Sequence, residues 1–137
     1  MSAGLEIVPL PDRDDGRGAA FHFDAETLRW LAGVADVHVV EIAPGKVRGN
    51  HRHRARREVA FVRHRGAVEV AWQAPGGGPI ERRTFEGHGG FLARIESGTL
   101  HAFRNSGAGR VEVVSMSNGR FDHAETEYAT LLTEARA

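Results

Sequence analysis

A hydrophobic period of two governs this chain from residue 36 onward, in short runs cut by glycine-rich turns. The runs are DVHVVEI (36–42), EVAFVR (58–63), AVEVAWQ (67–73), IERRTF (80–85), FLARI (91–95), TLHAFRN (99–105) and RVEVVSMS (110–117). Val, Ile, Phe and Thr are frequent in them, and alternation sends successive side chains to opposite faces of a strand. Pro44-Gly45, Arg65-Gly66, Pro75 to Pro79, Gly87, Gly89-Gly90, Ser97-Gly98 and Ser106-Gly107 punctuate the runs. Seven or more strands at this spacing predict an all-β antiparallel sandwich or barrel. Most of the seventeen glycines then serve as turn residues.

The flanks read differently. Residues 1–18 look like an extended arm, with Ile7, Val8 and Leu10 interleaved with Pro9 and Pro11. Residues 24–34 predict a short helix, with Asp24 as N-cap, Leu28 and Leu31 on one face and Gly33 near its stop. A second helix is expected over 122–135, with Asp122 at its start. At 137 residues the chain has room for one domain, 1–137, with the barrel at 36–118.

Eighteen Lys+Arg balance eighteen Asp+Glu, which speaks against a general nucleic-acid binder. The absence of cysteine excludes disulfides, thiolate zinc sites, iron–sulfur clusters and cysteine nucleophiles. Neither a membrane span nor a signal peptide is supported, so a cytoplasmic protein is expected.

Of eight histidines, His22, His38, His64, His88 and His123 are scattered and read as surface or core fillers. The other three are patterned. His51 and His53 share a face if their segment is a strand, Glu58 opens the next apolar run, and His101 shares a face with Thr99 and Phe103. Three imidazoles and a carboxylate converging inside a barrel suit one divalent metal ion, and nitrogen and oxygen donors alone do not choose among Zn, Fe, Mn, Co and Ni.

These residues carry a resemblance. Gly45-(five residues)-His51-Arg52-His53-(four)-Glu58-(seven)-Gly66 is similar to the first motif of the cupin superfamily. Gly90-(five)-Glu96-Ser97-Gly98-(two)-His101-(three)-Asn105 is similar to the second. The Glu58-to-Gly66 interval is one residue longer than usual, and Glu96 stands where proline is expected. The resemblance implies a double-stranded β-helix (jelly-roll barrel) with metal ligands His51, His53, Glu58 and His101.

Arg48-Gly49-Asn50-His51-Arg52-His53 further resembles the RGNHxH segment of cupin domains in capsular-polysaccharide and deoxysugar biosynthesis. Gly98 to Asn105, Asn118 to Asp122 and Thr126 to Tyr128 are similar to the same group, and Asp15-Gly16-Arg17-Gly18 resembles an entry segment of nucleotide-sugar epimerases. This implies isomerisation or epimerisation of a sugar or nucleotide sugar by proton abstraction next to a carbonyl. His51, His53 and Arg48 are then the catalytic candidates, and Arg48, Asn50, Arg63 and Phe103 the substrate-binding ones. Seven arginines lie between Arg48 and Arg65 and suggest capture of an anionic, phosphate-bearing small molecule. The lone tyrosine, Tyr128, lies in the tail, which disfavours the double epimerases that use a barrel tyrosine. Trp30 and Trp72 are expected to pack rather than stack on substrate.

The same donors also suit an iron-dependent cupin dioxygenase, with Val39, Ala60, Val62, Phe91 and Phe103 as an apolar lining. A non-catalytic small-molecule-binding cupin is the third reading. The resemblance and the arm imply a homodimer.

Overall fold

The computed structural model describes residues 4–134, so the start of the expected arm and the last residue of the expected tail helix lie outside the described residues. The elements are β1 (Leu5–Leu10), α1 (Ala25–Leu31), β2 (Asp36–Ile42), β3 (Val47–His53) and β4 (Glu58–His64). There follow β5 (Val68–Gln73), β6 (Ile80–Phe85), β7 (Gly89–Ile95), β8 (Leu100–Asn105) and β9 (Val111–Ser117). A 3₁₀ turn (His123–Glu125) and β10 (Thr126–Tyr128) close the order. The strands form two five-stranded antiparallel sheets, β1-β7-β4-β9-β2 and β10-β3-β8-β5-β6. Together they make the expected all-β jelly-roll.

Alternation builds the interior. Ala60 and Val62 of β4, Phe91 and Ile95 of β7, and Val111 and Val113 of β9 face Val68, Val70 and Trp72 of β5 and Phe103 of β8. Each fully buried Val, Ile or Phe contributes about 1.5–3 kcal/mol. Both sheets are also covered outside. Phe21, Phe23, Trp30 and Leu31 lie over Val59, Phe61 and Leu92 of the first sheet. Leu131 and Leu132 cover Ala71, Leu100 and Ala102 of the second.

Three expectations change. Residues 5–10 of the arm are an edge strand paired with β7, in which Pro9 stands opposite Phe91. An edge accepts proline because one side of the strand needs no ladder donor. In α1, Asp24 accepts from the Thr27 amide and hydroxyl, both at 2.9 Å, as an N-cap should. Its buried residues are Thr27 and Leu31, however, while Leu28 is 45% exposed. A four-residue step lies closer to the azimuth of Leu31 than a three-residue step does.

The tail is not a long helix. Asp122 does cap, accepting from the Ala124 amide at 2.9 Å, but only one 3₁₀ turn forms. Thr126 and Tyr128, a β-branched and an aromatic residue, then pair opposite His53 and His51. Among the described residues, no helix is long and apolar enough to cross a membrane.

Candidate active site

The inner faces turn polar at one end of the barrel, where Glu58 begins β4, Ser117 ends β9 and His53 ends β3. Antiparallel register brings these together: Glu58 stands opposite Ser117, and His51 opposite His101. A β-bulge in β3 completes the arrangement. Arg48 pairs with Phe103 and His51 with His101, so Gly49 and Asn50 together face Ala102. In a regular strand Arg48 and His51, three residues apart, would point to opposite faces; the bulge puts both inside. It needs positive φ at two successive residues, 99° at Gly49 and 55° at Asn50. A Cβ on Gly49 would meet the His101 carbonyl oxygen at 2.8 Å, so only glycine fits.

His51, His53, Glu58 and His101 each offer a ligand atom, and these atoms lie within 4.8 Å of one another. His53 Nε2 is 3.2 Å from Glu58 Oε2, and His101 Nε2 is 3.9 Å from Glu58 Oε1. His101 Nδ1 donates to the Thr99 carbonyl at 3.0 Å, which leaves Nε2 buried, unpartnered and aimed at the cluster. His53 Nδ1 meets Glu125 Oε1 and Thr126 Oγ1, each at 3.2 Å, while Arg56 Nη2 lies 3.2 Å from Nδ1 and 3.4 Å from Nε2, the nitrogen that faces Glu58.

The electrostatics favour the neutral form of His51 and His101. Burial, then the charges of His101 and His53, hold His51 down at about 3. Burial also lowers His101, against the opposing Glu58 charge and Thr99 carbonyl. For Glu58, burial pushes the carboxyl up, but the His53 hydrogen bond, the His101 and His53 charges and the Ser115 hydroxyl together bring it to about 2. Neutral imidazoles and one carboxylate are the protonation states that a divalent cation needs, and the orphaned His101 Nε2 is a ready donor, so these residues fit a metal.

The cluster lines a hollow of about 280 Å³, whose walls also include Val40, Phe103 and Phe121. Of the sequence candidates, His51, His53, Glu58, His101, Arg48 and Phe103 all border it. Asn50 and Arg63 do not. The Asn50 amide is committed to the tail: Oδ1 accepts from the Leu131 and Leu132 amides at 2.8 and 3.1 Å, and Nδ2 donates to the Leu132 carbonyl at 3.0 Å. Arg63 alternates to the outer face of β4 and borders a separate hollow with His64, Arg65 and His88.

Of the apolar residues expected to line an oxygenase pocket, Phe103 borders the hollow, and Val40 and Phe121 supply its other apolar walls. Val39 is 73% exposed on the outside of β2, and Ala60, Val62 and Phe91 belong to the core.

Three of the seven clustered arginines meet acids distant in sequence. Arg56 is buried against Glu125 (3.0 Å) and Asp36 (3.6 Å), Arg57 bonds Glu96 (3.0 Å), and Arg54 reaches Glu127 (3.6 Å). Arg48 and Arg56 border the hollow. Glu96 thus uses the unusual position in the second motif to hold Arg57.

Sequence reasoning passed over His38, Asp36, Glu125 and Ser115. His38 and Asp36 share the inner face of β2, with His38 Nδ1 3.3 Å from Asp36 Oδ2. The alternation that places Val40 and Ile42 inside was the available signal. Tyr128 also proves closer than its place in the tail suggests: its ring centroid is 6.1 Å from that of His51 in the same chain. Trp72 is core, and Trp30 lies between the Arg57 and Arg94 guanidinium groups, each 5.0 Å from its ring.

No protein-family model matches the sequence, and no curated protein matches it either. Solved structures do share the fold. A dTDP sugar isomerase from Desulfovibrio desulfuricans superposes with a TM-score of 0.75 at 18% identity, over 93% of this chain and 84% of that one. NovW, a 4-keto-6-deoxy sugar epimerase from the novobiocin gene cluster of Streptomyces spheroides, gives 0.71 at 20% identity, over 91% and 68%. A 3,4-ketoisomerase from Helicobacter canadensis gives 0.68 at 15% identity, over 91% and 90%.

Proposed function

We propose that this chain is a cupin that isomerises or epimerises a sugar or nucleotide sugar by removing a proton next to a carbonyl. The observation that carries the reading is the His51–His53–Glu58–His101 cluster lining a hollow that Arg48 also borders. It is supported by a fold shared with proteins described as sugar isomerases and epimerases.

The chain's own groups divide the work. Arg48 offers a guanidinium to an anionic oxygen, either a phosphate or the enolate formed on deprotonation. Phe103 and Phe121 exclude water from the apolar side of the sugar. His51, His53, Glu58 and His101 hold one divalent cation, which when bound polarises a substrate oxygen as a Lewis acid. Where no cation occupies them, burial keeps His51 neutral, and its value of about 3 makes it a weak proton acceptor. A second copy of the chain would cover the free edge of β2, where Val37 and Val39 stand exposed, as a homodimer requires.

The reading is tested with a panel of nucleotide-linked 4-keto-6-deoxy sugars in D₂O, followed by NMR. Deuterium entering a carbon next to the carbonyl is the expected result. Binding of a sugar nucleotide without exchange would favour the non-catalytic module. Oxygen consumption by the iron-loaded protein with a phenolic or thiol substrate would favour the dioxygenase.

A further inference from the structure

We propose that His38, held by Asp36, is the general base of the reaction, separate from the histidines of the cluster; this rests on the isomerase reading. The titratable groups around the hollow are His38, Arg48, His51, His53, Arg56, Glu58 and His101. His51, His53, Glu58 and His101 face one another as a single donor set, and Arg48 and Arg56 are permanent cations. Among the described residues bordering the hollow, His38 is the remaining imidazole, and it stands outside the donor set.

Its geometry suits the role. His38 and Asp36 alternate onto the inner face of edge strand β2, opposite Ser115 and Ser117 of β9. Nδ1 is 3.3 Å from Asp36 Oδ2, an oxygen buried without a hydrogen-bond partner, so a small ring rotation closes that bond. Arg56 Nη1 lies 3.6 Å from the same oxygen, so the carboxylate also faces a guanidinium cation. The Phe121 ring meets the imidazole edge-on, with centroids 5.7 Å apart. With Nδ1–H directed at Asp36, Nε2 carries the free lone pair. Half of the His38 side chain remains exposed, so a substrate in the hollow can reach it.

The step balances within the chain and substrate. His38 Nε2 takes the proton from the carbon next to the carbonyl. The C–H electron pair becomes the C=C bond of an enolate, and the carbonyl π pair moves to oxygen. Asp36 meets the imidazolium charge. Return of a proton to carbon, from His38 or from water on the opposite face, re-forms the carbonyl. Asp36 acts through His38 and is a positioning residue.

The test compares wild type with His38→Asn, His38→Ala and Asp36→Asn for deuterium incorporation, metal content and melting temperature. The expected result for His38→Asn is a loss of roughly 100-fold or more in exchange, with metal content and melting temperature as in wild type. For His38→Ala, added imidazole restores exchange. Asp36→Asn lowers kcat with KM unchanged, which a merely structural carboxylate would not do. Exchange by His38→Asn within threefold of wild type overturns the assignment, as does a loss that imidazole does not rescue. If wild type itself exchanges no deuterium into any sugar of the panel, the isomerase reading fails, and that outcome is distinct from a failure confined to His38.

Discussion

Replacing Asn50 by alanine should loosen the bulge and the tail together. The substitution removes three hydrogen bonds, to the amides of Leu131 and Leu132 and the carbonyl of Leu132. Each is worth about 1 kcal/mol net. It also forces alanine to hold φ near 55°, which asparagine tolerates and alanine resists by roughly 1 kcal/mol. The expected loss is therefore roughly 3–4 kcal/mol, or a drop of about 12–16 °C in Tm for a domain of this size. Asn50→Asp keeps the accepting oxygen and the tolerance of positive φ, and loses the single donor bond, so it should cost roughly 1–2 kcal/mol. Urea unfolding gives the magnitudes, and amide hydrogen exchange at Leu131 and Leu132 gives the location. Rapid exchange at those two amides in the alanine variant, with the β4 and β7 amides still protected, is the expected pattern. A change below about 0.5 kcal/mol, or equal losses for the alanine and aspartate variants, would refute the reasoning.

Acid should destabilise the metal-free protein. His51 is held down to about 3, so the unfolded chain takes up its proton first as pH falls below about 6.5. Stability is present above that pH and lost toward 3, at up to about 1.4 kcal/mol per pH unit for that proton. Glu58, lowered to about 2, adds a loss in the same direction below about 4.5. Urea midpoints at a series of pH values check this, and a flat profile from pH 7 to 5 would contradict it. His101→Ala should abolish metal uptake while leaving a folded barrel, read by elemental analysis after equilibration with divalent ions and by circular dichroism. Retained stoichiometric metal would remove His101 from the ligand set. Asp24→Ala should cost about 1 kcal/mol through loss of the α1 cap, visible as a fall of a few degrees in Tm.

The sheet core was legible because period-two runs with both faces to satisfy leave little freedom. The boundaries of β2 and β6 coincide with their runs, and the convergence of His51, His53, Glu58 and His101 follows from alternation plus antiparallel register. The bulge was less visible, although Gly49-Asn50 pairs two residues that accept positive φ. Prolines at 9 and 11 hid β1, because an edge strand obeys a looser rule than a central one. Asp122 is a real cap signal, but local capping is worth about 1 kcal/mol, and the free edge of β3 offered Thr126 and Tyr128 a ladder instead. The pairing of Arg56 and Arg57 was hidden for a different reason: Glu125, Glu96 and Asp36 are remote in sequence and adjacent in space. His38 was hidden by its isolation, since its function depends on facing a hollow built by other strands.

The most direct test of the central claim is proton exchange at carbon. Incubation of the protein with a nucleotide-linked 4-keto-6-deoxy sugar in D₂O should place deuterium next to the carbonyl, and Glu58→Gln and His101→Ala should reduce the rate. Unchanged NMR signals at every carbon of every sugar in the panel, from folded wild-type protein supplied with divalent metal, would contradict the account.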